Sequence, residues 1–256
     1  GPDADVLITE NTTMMGEPLP EEDLGVSTYP EGEWEIGGGT TWGWIMVSLG
    51  MLVPFRWRMA FATLWNQFVS VPLLRWICGI GLDIRGKENI PTEQPYMVIS
   101  NHQSEWETFY LARLFRPVCM VIKKELLAVP VFGWAMRAAR HIPVDRSLRH
   151  ASIDQIIKQG KQRLADGCNL LIFPEATRVP PGQMKRYSRT AAKLAVEAGV
   201  PLLPLVHDAG FCWSNRGEMR PGTIHVMIGP AIQTLGRNAD EVASEAEQWS
   251  IDHFNK

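Results

Sequence analysis

Apolar and polar positions follow two alternating periods along residues 82–254, and this alternation predicts the elements of the fold. Short apolar runs predict strands at residues 82–86, 96–100, 118–123, 141–144, 169–173, 201–206 and 223–229. Between them, apolar residues recur at helical spacing and predict helices at 104–115, 131–140, 149–166, 186–199 and 238–254. Several strands are apolar throughout, as in a sheet covered on both faces. The pattern therefore predicts an α/β domain with a mixed, largely covered sheet flanked by helices over residues 82–256.

The chain before this domain has a different pattern. Residues 1–40 are acidic and rich in Gly and Pro, which predicts a poorly structured tail or added segment. Residues 42–55 form the most apolar run, and residues 59–77 carry apolar side chains at helical spacing. The apolar run is shorter than the roughly 20 residues that a membrane-spanning helix needs, whereas Trp and Arg beside short apolar helices are typical of the lipid–water boundary. We predict that residues 41–81 form a membrane-associated helical pair that does not cross the bilayer; two core helices are the alternative.

The charge is unevenly distributed. Residues 1–55 contain ten acidic and no basic side chains, whereas residues 56–190 contain 20 basic and 10 acidic ones. A basic body favours an anionic partner such as a phosphate or a lipid head group, and a solvated basic face is the alternative. Because the bases are not interleaved with aromatic residues as in a known nucleic-acid-binding module, we expect no nucleic-acid partner.

A candidate acid–base pair follows the predicted strand 96–100. There the sequence reads Asn-His-Gln-Ser-Glu-Trp-Glu over residues 101–107, at the point where a strand turns into a helix. A carboxylate of Glu107 bonded to one nitrogen of His102 fixes the tautomer and leaves the other nitrogen as a base toward a hydroxyl. The alternative is a capping box, in which Glu107 only accepts a hydrogen bond from the backbone N–H of Ser104.

A second candidate stretch, Phe-Pro-Glu-Ala-Thr-Arg at residues 173–178, follows the predicted strand 169–173. The planar guanidinium of Arg178 suits a phosphate, and Thr177 adds a hydroxyl. The alternative is an Arg–Glu surface pair followed by a solvated basic helix start.

Three further basic residues stand near the ends of other predicted strands and also suit an anion: Lys123, Lys124 and Arg146. The alternative is that their side chains are only solvated. The six His residues show no metal-ligand spacing such as His-Glu-x-x-His, so we predict no metal site. The sequence also has no Gly-x-Ser-x-Gly hydrolase motif, no dinucleotide fingerprint and no P-loop.

Four stretches together resemble the motifs of the glycerolipid acyltransferase family, most closely those of bacterial lysophosphatidic acid acyltransferases. In chain order they are NHQSEWE (101–107), the Lys-rich turn through HIPVDR (123–146), FPEATR (173–178) and VPLLP (200–204). The resemblance covers roughly residues 82–230, and the two predicted helices before it resemble the membrane anchor of the family. There are two departures. Glu107 stands where the commonest form has Asp, and Ala176 stands where Gly is usual, which implies strain if that position needs a positive φ.

The resemblance implies transfer of a fatty acyl group from an acyl thioester to the sn-2 hydroxyl of lysophosphatidic acid, which gives phosphatidic acid in phospholipid biosynthesis. The acyl donor is acyl-CoA or acyl carrier protein, acting as a co-substrate, and no cofactor is implied. The implied partners are the lysolipid acceptor and a membrane surface, at the cytoplasmic face of the inner membrane. Two alternatives stay open: another lysolipid acceptor, such as a lyso-ornithine lipid, and a non-catalytic lipid-binding protein.

The resemblance also implies roles for the candidate residues. His102 is the general base, and Glu107 holds and orients its imidazole. Arg178 and Thr177 hold the phosphate of the acceptor, while Glu175 anchors the loop or the glycerol. The bases that assist Arg178 are Lys123, Lys124 and Arg146.

Overall fold

A computed structural model of the chain describes residues 72–92, 95–129, 132–145, 149–214 and 216–254. Within these residues the strands are β1 (Ile80–Arg85), β2 (Met97–Ser100), β3 (Val118–Lys123), β4 (Ile142–Val144), β5 (Asn169–Ile172), β6 (Leu202–His207) and β7 (Gly222–Ile228). The helices are α1 (Leu74–Ile77), α2 (Trp106–Leu114), α3 (Phe132–Ala138), α4 (Arg149–Ala165), α5 (Thr190–Ala198) and α6 (Ala239–His253). Short 3₁₀ helices lie at Lys87–Asn89, Lys124–Ala128 and Ala209–Phe211.

The described strands form one seven-stranded sheet in the order β1-β7-β6-β2-β5-β3-β4. The β6–β7 pair is antiparallel, and every other neighbouring pair is parallel. The sheet is therefore mixed, as predicted. β2 lies between β5 and β6, so the carboxyl ends of these two parallel neighbours flank the carboxyl end of β2.

Successive side chains of a strand point to opposite faces, and on the central strands the side chains of both faces are buried. Val98 of β2 packs in a cluster with Trp106 and Leu111 of α2. Met97 and Ile99, its neighbours on the same strand, belong to a second cluster that contains side chains of α4, α5 and α6. Coverage on both faces explains why these strands are continuous apolar runs in the sequence.

Local signals account for the start of α6 and the end of α5. The side chain of Asn238 accepts a hydrogen bond from the Asp240 N–H at 2.7 Å and caps α6. Gly199 ends α5 with a φ of 65°, a conformation that glycine adopts without strain. The predicted helix 186–199 begins only at Thr190, so that prediction was wrong at its start. The Tyr187 N–H is bonded instead to Glu247, and the Ser188 N–H to the Pro174 carbonyl.

The predicted helical pair at 41–81 lies almost entirely outside the described residues, as does the predicted tail at 1–40. Of the pair, the structure describes the end of the second helical pattern, where Trp76 and Ile77 on α1 are 86% and 74% exposed. Among the described helices, none combines the length and the apolar character needed to span a bilayer. The tail and the membrane-associated pair stay predictions.

Candidate active site

The site lies where β2, β5 and β6 end. The chain leaves β2 at Ser100 and turns through Asn101, His102 and Gln103 before α2 begins at Trp106. β5 ends at Ile172 and is followed by the predicted phosphate loop. Because β2 and β5 are parallel neighbours, their carboxyl ends place the two sequence motifs side by side.

His102 and Glu107 are in direct contact. The Nδ1 atom of His102 lies 2.8 Å from Oε1 of Glu107, and the side chain of Glu107 is fully buried while that of His102 is 14% exposed. With Nδ1 bonded to the carboxylate, Nε2 is the imidazole nitrogen left to accept a proton. The predicted contact between the imidazole of His102 and the carboxylate of Glu107 is thus present in the structure.

Glu107 also makes the hydrogen bond expected of a capping box, together with others at the start of α2. Its Oε1 accepts from the backbone N–H groups of Gln103 and Ser104, both at 2.7 Å, and its Oε2 accepts from the Ser104 hydroxyl at 2.7 Å. The Ser104 hydroxyl oxygen in turn accepts from the Trp106 N–H at 3.1 Å. The two interpretations are therefore compatible, because one carboxylate both closes the first turn of α2 and holds the imidazole.

The surroundings keep Glu107 ionised. Burial by itself raises the pKa of this carboxyl, but His207, the hydrogen bond from His102 and the backbone N–H of Ser104 lower it, to about 2. The buried carboxylate is thus a fixed negative charge beside His102. Such a charge favours an imidazolium when the ring takes up a proton.

The loop after β5 is attached to the same histidine through its backbone. The carboxylate of Glu175 accepts the His102 N–H at 2.7 Å, and the Val179 N–H donates to the His102 carbonyl at 2.8 Å. Phe173 stacks on the imidazole of His102, with ring centroids 4.3 Å apart and planes at 18°. These contacts set the loop 173–179 in a defined position relative to the base.

Glu175 is only 2% exposed, and its second oxygen faces the Lys185 N–H at 3.4 Å. Burial raises the pKa of this carboxyl to about 7, because the ionised form loses its hydration and lies near the charge of Glu107. Of the two predicted roles for Glu175, this geometry favours anchoring of the loop over contact with the glycerol.

Ala176 stands where the resemblance implies a glycine, and its backbone adopts the left-handed conformation. Its φ is +60°, its side chain is exposed, and its N–H closes a turn onto the Phe173 carbonyl at 3.1 Å. The left-handed conformation is unfavourable for a residue with a Cβ, so the loop is strained at this point. The backbone nevertheless keeps the conformation that a glycine would adopt.

Arg178 lies on the loop that is hydrogen-bonded to His102, and its side chain already has a partner. Its Nη1 lies 2.8 Å from Oε1 of Glu105, and the two side chains are 30% and 27% exposed. The alternative of an Arg–Glu surface pair is thus present, although the acid comes from the residue before α2. Thr177, also predicted to bind the phosphate, is exposed on the same loop.

The other predicted bases lie further away or are not described. Lys123 ends β3, which neighbours β5, and Lys124 begins the 3₁₀ helix that follows; both are exposed. They stand at the same edge of the sheet as the loop 173–179. Arg146 lies outside the described residues, so its place at the site stays a prediction.

Asn101 joins the turn to β6. Its side-chain amide donates to the His207 carbonyl at 2.9 Å and accepts from the His207 N–H at 2.9 Å, so it extends the pairing of β2 with β6. The imidazole of His207 is bonded to the Asn101 carbonyl at 2.9 Å, and burial lowers its pKa. His207 is therefore a structural residue behind the site.

Gln103 was missed as a site residue. Its side chain is buried, and its Oε1 accepts the Gly210 N–H at 3.0 Å, which joins the turn after β2 to the 3₁₀ helix after β6. A Cβ at Gly210 would lie 2.7 Å from Pro181 and 2.9 Å from Gln103. Only glycine fits there, and no local pattern in the sequence signals a contact between residues 107 positions apart.

In the part of the chain that the structure describes, no three His, Cys, Asp or Glu side chains are grouped so that they could hold a metal ion. The charged chemistry at the described site consists of one imidazole, the carboxylates of Glu107, Glu175 and Glu105, and the guanidinium of Arg178. This set suits proton transfer from a hydroxyl next to a bound anion.

Comparison with known proteins identifies relatives of the same kind. A family model described as Acyltransferase matches residues 81–208. A 1-acyl-sn-glycerol-3-phosphate acyltransferase of Pseudomonas aeruginosa is 44% identical over 213 residues, which cover 81% of this chain and 82% of that protein. The mouse protein named 1-acyl-sn-glycerol-3-phosphate acyltransferase alpha is 32% identical over 177 residues, which cover 68% of this chain and 62% of the mouse protein.

A solved structure has the same fold. The crystal structure of the 1-acyl-sn-glycerophosphate acyltransferase of Thermotoga maritima matches with a TM-score of 0.62 and covers 84% of this chain and 94% of that chain. The two sequences are 18% identical, so this likeness concerns the fold.

Proposed function

Since this chain belongs to the acyltransferase family, we propose that it moves a fatty acyl group from an acyl thioester to the sn-2 hydroxyl of lysophosphatidic acid, giving phosphatidic acid. The names of the Pseudomonas and mouse relatives support this acceptor. The observation that carries the proposal is the 2.8 Å contact of His102 with Glu107, beside an arginine on a loop that is hydrogen-bonded to the same histidine.

The reaction begins with a proton transfer. Glu107 holds the proton of His102 on Nδ1, so Nε2 takes the hydroxyl proton as the acceptor oxygen bonds to the thioester carbonyl carbon. The carboxylate stabilises the imidazolium that forms. When the tetrahedral intermediate collapses, the carbon–sulfur bond breaks and the imidazolium returns its proton to the departing thiolate. Atoms and charges balance without a covalent acyl-enzyme.

Arg178 is the residue proposed to hold the phosphate of the acceptor. A guanidinium binds a phosphate through paired N–H donors, and the loop contacts to His102 keep it next to the base. Thr177 on the same loop adds a hydroxyl donor, and Lys123 and Lys124 add positive charge at the same edge of the sheet. Holding the acceptor next to the base lowers the entropic cost of the reaction.

The proposed place of action is the cytoplasmic face of the inner membrane. The acceptor and the product are both amphipathic, and the exposed Trp76 and Ile77 at the end of the predicted helical pair support contact with lipid. Sedimentation of the full chain with liposomes tests this point. We expect the protein in the pellet, and a protein that stays in the supernatant would contradict membrane association.

The function is tested by mass spectrometry of lipids after incubation of the full chain with lysophosphatidic acid and either acyl-CoA or acyl carrier protein loaded with a fatty acid. We expect phosphatidic acid with at least one donor, and the comparison identifies that donor. A parallel incubation with a lyso-ornithine lipid tests the alternative acceptor. Acylation of that lipid alone would contradict the proposed substrate, and the absence of thiol release with every acceptor would favour a non-catalytic lipid-binding protein.

A further inference from the structure

The guanidinium of Arg178, which is proposed to bind the phosphate of the acceptor, already forms an ion pair with Glu105. Nη1 of Arg178 lies 2.8 Å from Oε1 of Glu105, so one edge of the guanidinium is already engaged. About 30% of each side chain is exposed, which leaves the pair open to solvent and to an entering anion. The pair is therefore placed to break or rearrange when a ligand arrives.

The backbone of each partner is held close to His102. Glu105 lies between Ser104, whose N–H is bonded to Glu107, and Trp106, whose N–H is bonded to the Ser104 hydroxyl. Arg178 lies between Glu175 and Val179, which are both hydrogen-bonded to the backbone of His102. With the flanking residues held in this way, Glu105 and Arg178 can exchange partners by rotation of their side chains.

A phosphomonoester at this position competes with Glu105 directly. It carries about −1.5 to −2 charges near neutral pH and offers three acceptor oxygens to the guanidinium. It either replaces the Glu105 carboxylate or binds beside it, where the two negative charges repel each other. In both cases Glu105 weakens the binding of the phosphate.

We propose that Glu105 is an exchangeable partner of Arg178. Glu105 pairs with the guanidinium before the acceptor binds, and the phosphate of the acceptor then replaces it. This inference rests on the proposed function, because it takes Arg178 as the phosphate-binding residue. Lysophosphatidic acid and phosphatidic acid carry the same phosphate group, so Glu105 weakens the binding of both. It thereby assists product release at the expense of a higher KM for the acceptor.

The test compares the wild type with Glu105→Gln, which keeps the size of the side chain and removes its charge. We expect the KM for lysophosphatidic acid and the inhibition constant of phosphatidic acid each to fall about two- to five-fold, the range that an exposed ion pair of this kind supports. In an Arg178→Ala background the same substitution should leave both constants as they are. The matched control is Glu245→Gln, which removes the acid of an Arg–Glu pair away from the site, where Nη1 of Arg237 lies 2.7 Å from Oε2 of Glu245 on α6.

The outcomes separate the two proposals. A KM for lysophosphatidic acid that rises or stays unchanged in Glu105→Gln, while Arg178→Ala raises it, overturns the exchange and leaves the proposed function intact. An equal fall of KM in Glu245→Gln also overturns the exchange, because the fall would then follow from the changed net charge of the protein and not from the loss of the partner of Arg178. If Arg178→Ala does not change the KM, Arg178 is not the phosphate-binding residue and the inference fails with that assignment.

Discussion

Replacing Ala176 with glycine should stabilise the protein. Ala176 has a φ of +60°, and its side chain is exposed, so the substitution relieves backbone strain and loses almost no buried surface. The left-handed conformation costs an L-residue about 1–2 kcal/mol. Glycine also increases the conformational freedom of the unfolded chain, and this offsets about 0.4–1 kcal/mol of the stabilisation that relief of the strain provides. The net expectation is a free energy of unfolding higher by about 0.5–1 kcal/mol.

Urea unfolding of the two proteins under identical conditions measures this difference, and for a domain of this size the melting temperature should rise by about 1–3 °C. The control is Ala151→Gly, the same chemical change at an exposed position within α4. There we expect a loss of about 0.5–1 kcal/mol, because glycine is unfavourable inside a helix. A loss of stability in Ala176→Gly, as expected for Ala151→Gly, would refute the assignment of strain to the loop.

Three further substitutions test individual contacts. Glu107→Gln removes the charge beside His102 and places an amide among four donors, so thiol release should fall about 100-fold or more and the free energy of unfolding by about 2 kcal/mol. The pKa of Glu175 is raised from 4.5 to about 7, so its contribution to stability is complete below pH 4.5 and is lost as the pH rises through about 7. In Glu175→Gln, urea unfolding should therefore depend less on pH across this interval. Gly210→Ala pushes on Gln103 next to the base, and we expect a lower kcat with a nearly unchanged KM. Wild-type thiol release in Glu107→Gln would contradict the role of the Glu107 charge. An unaltered pH profile of unfolding in Glu175→Gln would contradict the raised pKa of Glu175, and a full kcat in Gly210→Ala would contradict the role of the Gln103 contact.

Much of the fold follows from local patterns. The predicted strands 118–123 and 201–206 coincide with β3 and β6 to within one residue, because strands buried on both faces are continuous apolar runs. The start of α5 could not be predicted in the same way. Tyr187 bonds to Glu247 on α6, a partner 60 residues away, and this contact keeps the preceding segment out of the helix. The order of the strands in the sheet likewise depends on contacts between distant segments.

The site was predictable where one short motif contains both partners. His102 and Glu107 are five residues apart, and the strand-to-helix turn between them brings the imidazole to the carboxylate. The resemblance, which implies a glycine at position 176, indicated strain there on the condition of a positive φ, and the φ of +60° meets that condition. The pairing of Arg178 with Glu105 joins two separate motifs, and sequence spacing cannot choose between the acids available to an arginine.

The role of His102 as the base is tested most directly by thiol release from an acyl thioester in the presence of lysophosphatidic acid, measured for wild type, His102→Ala and His225→Ala. His225 is the matched control, because it also has a carboxylate partner, with Nδ1 2.7 Å from Asp208, but is 59% exposed and outside the site. We expect a loss of about 100- to 10,000-fold in His102→Ala and nearly full activity in His225→Ala. Activity of His102→Ala within a few-fold of wild type would contradict the assignment of His102 as the base.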